Sequence, residues 1–270
     1  MHPIEHLRYV ARAQGADPTS LVEETAHALG SMHFDPSGLV VASRRIVERH
    51  PFTGALWWLC ANVTTSSEPF EAVWELADEI RADRTGAELA AELADDAVVV
   101  TIGDPDVIGD GLTRRGDVRV LAFDAGHTAT SFVRRLERYD VDVDPVDAGV
   151  AGVATKHADV VLVEALAVDS DRAIVPIGSS TIVASAAAWG TEVWLVAGVG
   201  RRLPPGFLDA MVARVAALGE GTDPWDLDVE VLPTSMFTHV VGPHGRVPMG
   251  PPAIVPECPL ASELLRHSPM

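Results

Sequence analysis

Residues 158–197 constrain the fold of this chain more than any other segment. They read in order as a strand, a loop, the turn Gly178-Ser179-Ser180-Thr181, a helix and a second strand. Apolar strands separated by a helix are typical of a parallel sheet that is covered on both faces. Ligands of such sheets lie beyond the carboxyl ends of the strands, so the segment predicts a pocket as well as a fold. The turn fits either an anion site at a helix N-terminus or ordinary helix capping.

The hydrophobic period of the chain changes near residue 97. Before it, apolar residues recur every three or four positions and predict helices over residues 2–14, 18–29, 38–50, 53–62, 67–83 and 85–93. After it, apolar runs predict strands over residues 97–102, 118–123, 141–143, 159–165, 192–197 and 239–242. Further helices are predicted over residues 128–139, 181–189 and 205–218.

This order predicts an α/β fold in three parts. Residues 1–95 form a helical N-terminal domain, and residues 96–250 form a Rossmann-like domain with a doubly wound, mostly parallel sheet. Residues 251–270 form a proline-rich C-terminal tail that wraps the surface.

The charge of the chain restricts its partners. Basic residues number 20 against 39 acidic residues, a net charge of −19, and such a surface repels nucleic-acid phosphates. A GC-rich genome and adaptation to high salt both account for this acidity. No run reaches the ~18 apolar residues of a membrane helix, and the first residues do not resemble a secretory signal. We therefore predict a cytoplasmic protein that binds neither nucleic acid nor membranes.

The remaining composition predicts no resident cofactor or metal. Cys60 and Cys258 lie far apart in sequence, and no cysteine and histidine spacing resembles a zinc site. The chain has no GxGxxG after the first predicted strand, no phosphate-binding GxxxxGK[ST] loop and no GxSxG elbow. The sequence therefore lacks the main motif expected of a nucleotide-dependent dehydrogenase, a phosphate-loop enzyme or a serine hydrolase.

Polar residues that follow the predicted strands are the candidates for a binding site. The candidate ligand-binding residues are Gly103, Asp124, Glu164, Gly178, Ser179, Ser180 and Thr181. The candidate catalytic residues are Asp104, Asp106 and His127. An aspartate can abstract a proton next to a carbonyl group if burial raises its pKa.

Several segments resemble one protein family. DVVLVEALAV (159–168), VPIGSSTIVASAAA (175–188) and TEVWLVA (191–197) resemble its D-x-V-L-V-G-A-[DE], N-K-I-G-T and P-x-Y-V motifs. HPFTGALWWL (50–59) and VLPTSMFTHVVGPHGRVP (231–248) resemble its R-P-T helical segment and its closing strand. The family unites the alpha, beta and delta subunits of eukaryotic translation initiation factor 2B with methylthioribose-1-phosphate isomerase and ribose-1,5-bisphosphate isomerase.

The resemblance implies a helical domain, a Rossmann-like domain and a homodimer. It also implies that the chemical positions of the isomerases are replaced. Their cysteine after the first strand is missing from the loop that begins at Gly103, and their catalytic aspartate falls at Leu166. Their arginine after the second strand falls at Asp124 and their lysine at Pro176, which removes two positive charges from a phosphate site.

Two functions follow as expectations. The first is a non-catalytic module that senses a ligand or binds a protein. The second is an aldose-ketose isomerase of a phosphorylated pentose, with Asp104 or Asp106 as base and His127 as acid or phosphate partner. An enzyme with a new substrate stays open as a third.

The acidic residues at the strand ends suggest what a pocket would hold. Asp104, Asp124 and Glu164 are expected to converge on the pocket mouth, which would suit a cationic or neutral polar ligand or a hydrated divalent ion. A decayed site whose acidic residues face solvent is the alternative.

Overall fold

The computed structural model describes residues 18–31, 36–124 and 129–266. The helix predicted over residues 2–14 and the loop residues 125–128 lie outside this range. Helices occupy the described chain up to the first strand: α1 (Pro18–Gly30), α2 (Pro36–Arg49), α3 (Gly54–Thr65), α4 (Pro69–Arg81) and α5 (Thr85–Glu92). Each begins and ends within three residues of the predicted bounds.

Strands and helices alternate after α5. The strands of the main sheet are β1 (Val98–Ile102), β2 (Arg119–Phe123), β3 (Asp142–Val146), β4 (Val160–Glu164), β7 (Glu192–Val196), β9 (His239–Gly242) and β10 (Gly245–Pro248). The helices between them are α6 (Asp106–Leu112), α7 (Ala129–Glu137), α8 (Ala151–His157), α9 (Ser179–Trp189) and α10 (Pro205–Gly219). A second sheet contains β5 (Ala167–Val168), β6 (Arg172–Pro176) and β8 (Val229–Pro233).

The main sheet has the order β10-β9-β7-β4-β1-β2-β3, and only β10 runs antiparallel to its neighbour. Successive residues of its strands point to opposite faces and join different cores. Val99 packs with α6 and α7, whereas Val100 packs with α8 and α9. Helices thus cover both faces, which confirms the predicted α/β fold with a mostly parallel, doubly wound sheet.

The sequence patterns missed several short elements. The helix α6 has seven residues, two of them glycine, and shows too little periodicity to be recognised. The strands β6 and β8 pair antiparallel over a long separation in sequence, from Arg172 with Pro233 to Pro176 with Val229. Such pairing depends on the tertiary structure and leaves little local signal.

A separate core holds the helical region against the rest of the chain. Trp57 and Trp58 of α3 lie in it, together with Phe207 of α10. The tail, predicted on the surface, instead contributes Cys258 and Leu264 to this core, where both are at most 8% exposed. The apolar residues of the tail therefore stabilise the fold. Within the described residues, no helix combines the length and apolar character needed to cross a membrane.

Candidate functional site

The crevice of the doubly wound sheet opens where the strand order reverses. β1 is followed by β2 on one side of the sheet, while β4 pairs with its other side. The carboxyl ends of β1 and β4 therefore define the place where a ligand would lie in this fold. Gly103 follows β1 with a φ of +79°, a conformation that favours glycine, and its N–H donates to Phe123 O at 2.9 Å.

A buried ion pair lies at the end of β4. Glu164 is 4% exposed and its Oε1 lies 3.0 Å from Nη1 of Arg201, which is 3% exposed. Arg201 Nη1 also donates to Ala165 O at 2.7 Å. The other carboxylate oxygen accepts from the N–H of Ile108 at 3.1 Å, in the first turn of α6. Glu164 was expected at an open pocket mouth, and the structure corrects this because the side chain is buried and paired.

The acidic residues after β1 bind a different arginine. Asp104 Oδ1 lies 2.9 Å from Arg135 Nη2 of α7, and its Oδ2 accepts from Ser131 Oγ at 2.6 Å. Asp106 Oδ1 lies 3.7 Å from Arg135 Nη1, and the same guanidinium donates to Pro105 O at 2.6 Å. Arg135 therefore connects the loop after β1 to α7, and its guanidinium lies within ion-pair distance of both candidate bases.

Asp124, at the end of β2, caps the next helix. Its Oδ1 accepts from the N–H of Ala129, the first residue of α7, at 3.1 Å. In the sequence resemblance this position corresponds to an arginine of the isomerases, and here it is an acidic helix cap. The candidate residue His127 lies outside the described residues.

The turn before α9 is also capped by an acidic side chain. Gly178 has a φ of +87°, and Ser179 Oγ donates back to Pro176 O at 2.6 Å. The N–H of Ser180 donates to Oε1 of Glu230, a half-buried residue of β8, at 2.8 Å. Thr181 N–H donates to Gly178 O at 3.1 Å within the turn. The predicted anion site therefore already holds the carboxylate of Glu230.

Helices α6, α7 and α9 share this arrangement at the carboxyl edge. A helix N-terminus attracts anions because its free N–H groups and its dipole both favour negative charge. Here the carboxylates of Glu164, Asp124 and Glu230 each accept an N–H from one of the three helices. A phosphate at this edge would meet these negative charges in addition to losing the N–H donors.

The helical region lies directly against the end of β4. Leu166 O accepts from the N–H of Gly54, the first residue of α3, at 2.9 Å. A Cβ at position 54 would lie 2.4 Å from that oxygen, so only glycine permits this approach. The start of α3, which belongs to the segment that resembles the R-P-T motif, therefore contacts the residues after β4 through its backbone.

The two cysteines are unsuited to acid–base chemistry at the strand ends. Burial raises the pKa of the Cys60 thiol to about 12. Burial, followed by the nearby charge of Glu257, raises the pKa of Cys258 to about 12. Cys60 lies in α3 and Cys258 in the tail, so neither follows β1. Among the described residues, no group of three or more histidine, cysteine or acidic side chains is placed to hold a metal ion.

Sequence reasoning missed Arg201, Arg135 and Glu230, the residues that complete these contacts. Arg201 follows β7, so a search of every strand end would have found it. Arg135 lies inside α7 and Glu230 inside β8, where no local pattern marks them.

Together these features define a class of protein. A helical region packs on a Rossmann-like domain, and acidic side chains of that domain cap the helices that begin at the carboxyl edge of its sheet. No protein-family model matches the sequence, and no curated protein matches it either. Solved structures do match. A translation initiation factor eIF-2B from Pyrococcus horikoshii OT3 superimposes with a TM-score of 0.76 at 12% identity, over 94% of this chain and 98% of that one.

Fungal structures give the same result. The eIF2B delta subunit of Chaetomium thermophilum has a TM-score of 0.66 at 16% identity, over 89% of this chain and 96% of its own. A chain of the tetrameric eIF2B-beta2-delta2 complex of C. thermophilum has a TM-score of 0.68 at 13% identity, over 91% of this chain and 90% of its own. The chain therefore has the fold of the initiation factor 2B subunits, as its sequence motifs predicted.

Proposed function

We propose that this chain is a non-catalytic, ligand-sensing or protein-binding member of the initiation factor 2B and sugar-phosphate isomerase fold. The single observation that carries the proposal is the capping of α6, α7 and α9 by Glu164, Asp124 and Glu230. The isomerases that the sequence resembles bind phosphorylated sugars. Here the helix N–H groups that could donate to a phosphate already donate to carboxylates, and an acidic residue stands where the isomerases have an arginine.

The residues at the catalytic positions support the same conclusion. Leu166 cannot exchange a proton, and Pro176 cannot offer a positive charge. Both cysteine thiols are buried away from the loop after β1. Moving a proton between two carbons of a sugar needs a free base and a free acid, whereas Asp104 and Asp106 both face the guanidinium of Arg135.

A turnover assay tests this proposal. The protein is incubated with ribose-1,5-bisphosphate and, separately, with methylthioribose-1-phosphate, and ketose formation is followed. We expect no ketose above the background with a heat-inactivated sample. Ketose formation that Asp104→Ala abolishes would overturn the proposal and favour the alternative, an aldose-ketose isomerase that uses Asp104, Asp106 and His127.

We further propose that the protein is a cytoplasmic homodimer. The match to a chain of a tetrameric beta2-delta2 complex supports self-association, because in that complex a fold of this kind is part of an oligomer. Exposed apolar side chains on two neighbouring helices also support it: Val153 of α8 is 64% exposed and Trp189 of α9 is 53% exposed. The net charge of −19 favours protein or small-molecule partners over nucleic acid.

Light scattering coupled to gel filtration measures the oligomeric state. We expect the mass of two chains, and a shift toward one chain for Val153→Asp, because a charge would be buried at the contact. Val41→Asp on α2, at a position 43% exposed, is the matched control. A single-chain mass for the unmodified protein would contradict the dimer without affecting the turnover result.

A further inference from the structure

A cleft of about 750 Å³ lies apart from the strand-end contacts described above. Its walls come from the end of α4 and its connection to α5, the β9–β10 hairpin, the loop after β7 and the tail residues 252–257. A volume of this size is within the range of small-molecule sites in proteins. Nothing in the sequence patterns pointed to it, because its walls come from four distant parts of the chain.

Apolar side chains form much of the cleft. Val199, Val247 and Val255 face it, and the last two are 43% and 64% exposed. Pro252 and Pro256 add rigid apolar surface from the tail. A ligand with an aliphatic body would remove this apolar surface from water, at roughly 25 cal/mol for each Å² buried.

Most charged groups of the cleft already have an ion-pair or hydrogen-bond partner. Glu257 binds Arg202, with Oε1 lying 2.5 Å from Nη2 and Oε2 accepting from the Arg202 N–H at 3.1 Å. Asp83 accepts from Thr85 N–H at 2.8 Å through one oxygen and from Val199 N–H at 2.9 Å through the other. Arg84 lies 2.8 Å from Glu88 in an ion pair along the start of α5.

Glu79 is the exception among these groups. No hydrogen bond or ion pair to a described residue engages its carboxylate, which lies exposed in the cleft wall. Partial loss of hydration raises its pKa, and the nearby negative charge of Glu257 raises it further. An ammonium group beside Glu79 would relieve that repulsion, and the net charge of −19 raises the local concentration of cations.

We propose that this cleft binds a small aliphatic amine, with the ammonium group at Glu79 and the methylene chain along Val199, Val247 and Val255. The inference rests on the proposed function in one respect, namely that the chain binds a ligand without converting it. The turnover assay decides the proposed function and a binding assay decides this site, so the two failures are distinguishable.

Three five-carbon probes separate charge from apolar character. Pentylamine, 1-pentanol and pentanoate share an aliphatic chain and differ in their head group. Their binding to the full chain is measured by calorimetry and by saturation-transfer NMR, and spermidine serves as a polyamine probe. We expect saturable binding of pentylamine and spermidine, weaker binding of 1-pentanol and the weakest binding of pentanoate.

Variants place the binding within the cleft. Glu79→Gln is expected to weaken pentylamine binding about fivefold, the loss that corresponds to one solvent-accessible ion pair. Glu75→Gln removes the same charge from the same helix outside the cleft and is expected to change the affinity less than about twofold. Val247→Asp adds a carboxylate to the apolar wall and is expected to weaken 1-pentanol binding.

Three results would overturn the site. The first is no saturable binding of pentylamine or spermidine to a protein that unfolds cooperatively. The second is pentanoate binding as tightly as pentylamine. The third is an affinity for pentylamine that Glu79→Gln and Glu75→Gln lower equally, since that result would indicate non-specific attraction to an acidic surface.

Discussion

At the centre of the sheet's carboxyl edge, Glu164 and Arg201 are buried and bind each other, whereas on the β9 side Glu79 is exposed in an open cleft. Glu164 and Glu79 are the same residue type, but among the described residues only Glu164 is paired with another charged group. A buried carboxylate must be paired or it destabilises the fold, while an exposed one stays in contact with water and tolerates being unpaired. The central charge pair therefore stabilises the fold, whereas the carboxylate in the cleft remains available to a ligand.

The largest effect is expected from removing one partner of the central pair. Glu164→Leu would leave Arg201 charged and buried, and it would also remove the acceptor for Ile108 N–H. We expect a loss of about 3–5 kcal/mol in the free energy of unfolding, measured by urea denaturation. The double variant Glu164→Leu/Arg201→Met removes both charges and should recover much of that loss.

A loss below about 1 kcal/mol for Glu164→Leu would contradict the comparison, since it would mean that Arg201 reaches water without its partner. Equal losses for the single and the double variant would show that the methionine fails to replace the guanidinium by packing. The slope of the denaturation curve checks that the variants unfold from a comparably compact state.

A smaller effect is expected at the turn before α9. Gly178 has a φ of +87°, and a Cβ there would lie 3.1 Å from Ile102 Cδ1. Gly190, at the end of the same helix, has a φ of +73° with nothing within 4 Å. In each alanine variant the left-handed backbone conformation alone should lower the free energy of unfolding by about 1–2 kcal/mol. The loss should be larger for Gly178→Ala than for Gly190→Ala. Thermal unfolding monitored by circular dichroism compares them, and the reverse order would show that Ile102 moves freely.

Removing the charge of the side chain that caps α9 should have a still smaller effect on stability. Glu230→Gln removes the negative charge that accepts the Ser180 N–H, and we expect a loss of about 0.5–1 kcal/mol. The variant should also gain more thermal stabilisation from added sulfate than the unmodified protein does, because a negative charge has left the helix N-terminus. An identical response to sulfate in both proteins would mean that Glu230 does not control this site.

The smallest effect is expected in the cleft. Glu79→Gln removes an exposed carboxylate that binds no described residue, so the free energy of unfolding should change by less than about 0.5 kcal/mol. The same urea denaturation measures it, with Glu75→Gln as the control. A loss of more than about 1 kcal/mol would assign Glu79 a structural role and remove the contrast with Glu164.

The sequence alone determined the alternation of strands and helices and the fold that it builds. This was possible because the period of apolar residues is a local property that the chain displays whatever its neighbours are. The same period placed the ends of α1 to α5 within three residues of those observed. The strand-end positions of Asp104 and Asp124 were also predictable, since a parallel sheet brings such ends to one edge.

Only the tertiary structure decided what those positions do. Arg135, Arg201 and Glu230 come from helix, loop and strand positions far along the chain, and they determine whether each candidate residue is free or bound. The cleft beside Glu79 likewise exists only because the α4–α5 connection, a hairpin and the tail meet. Burial and pairing of charges depend on distances between segments that are far apart in the chain. Local sequence patterns do not give those distances.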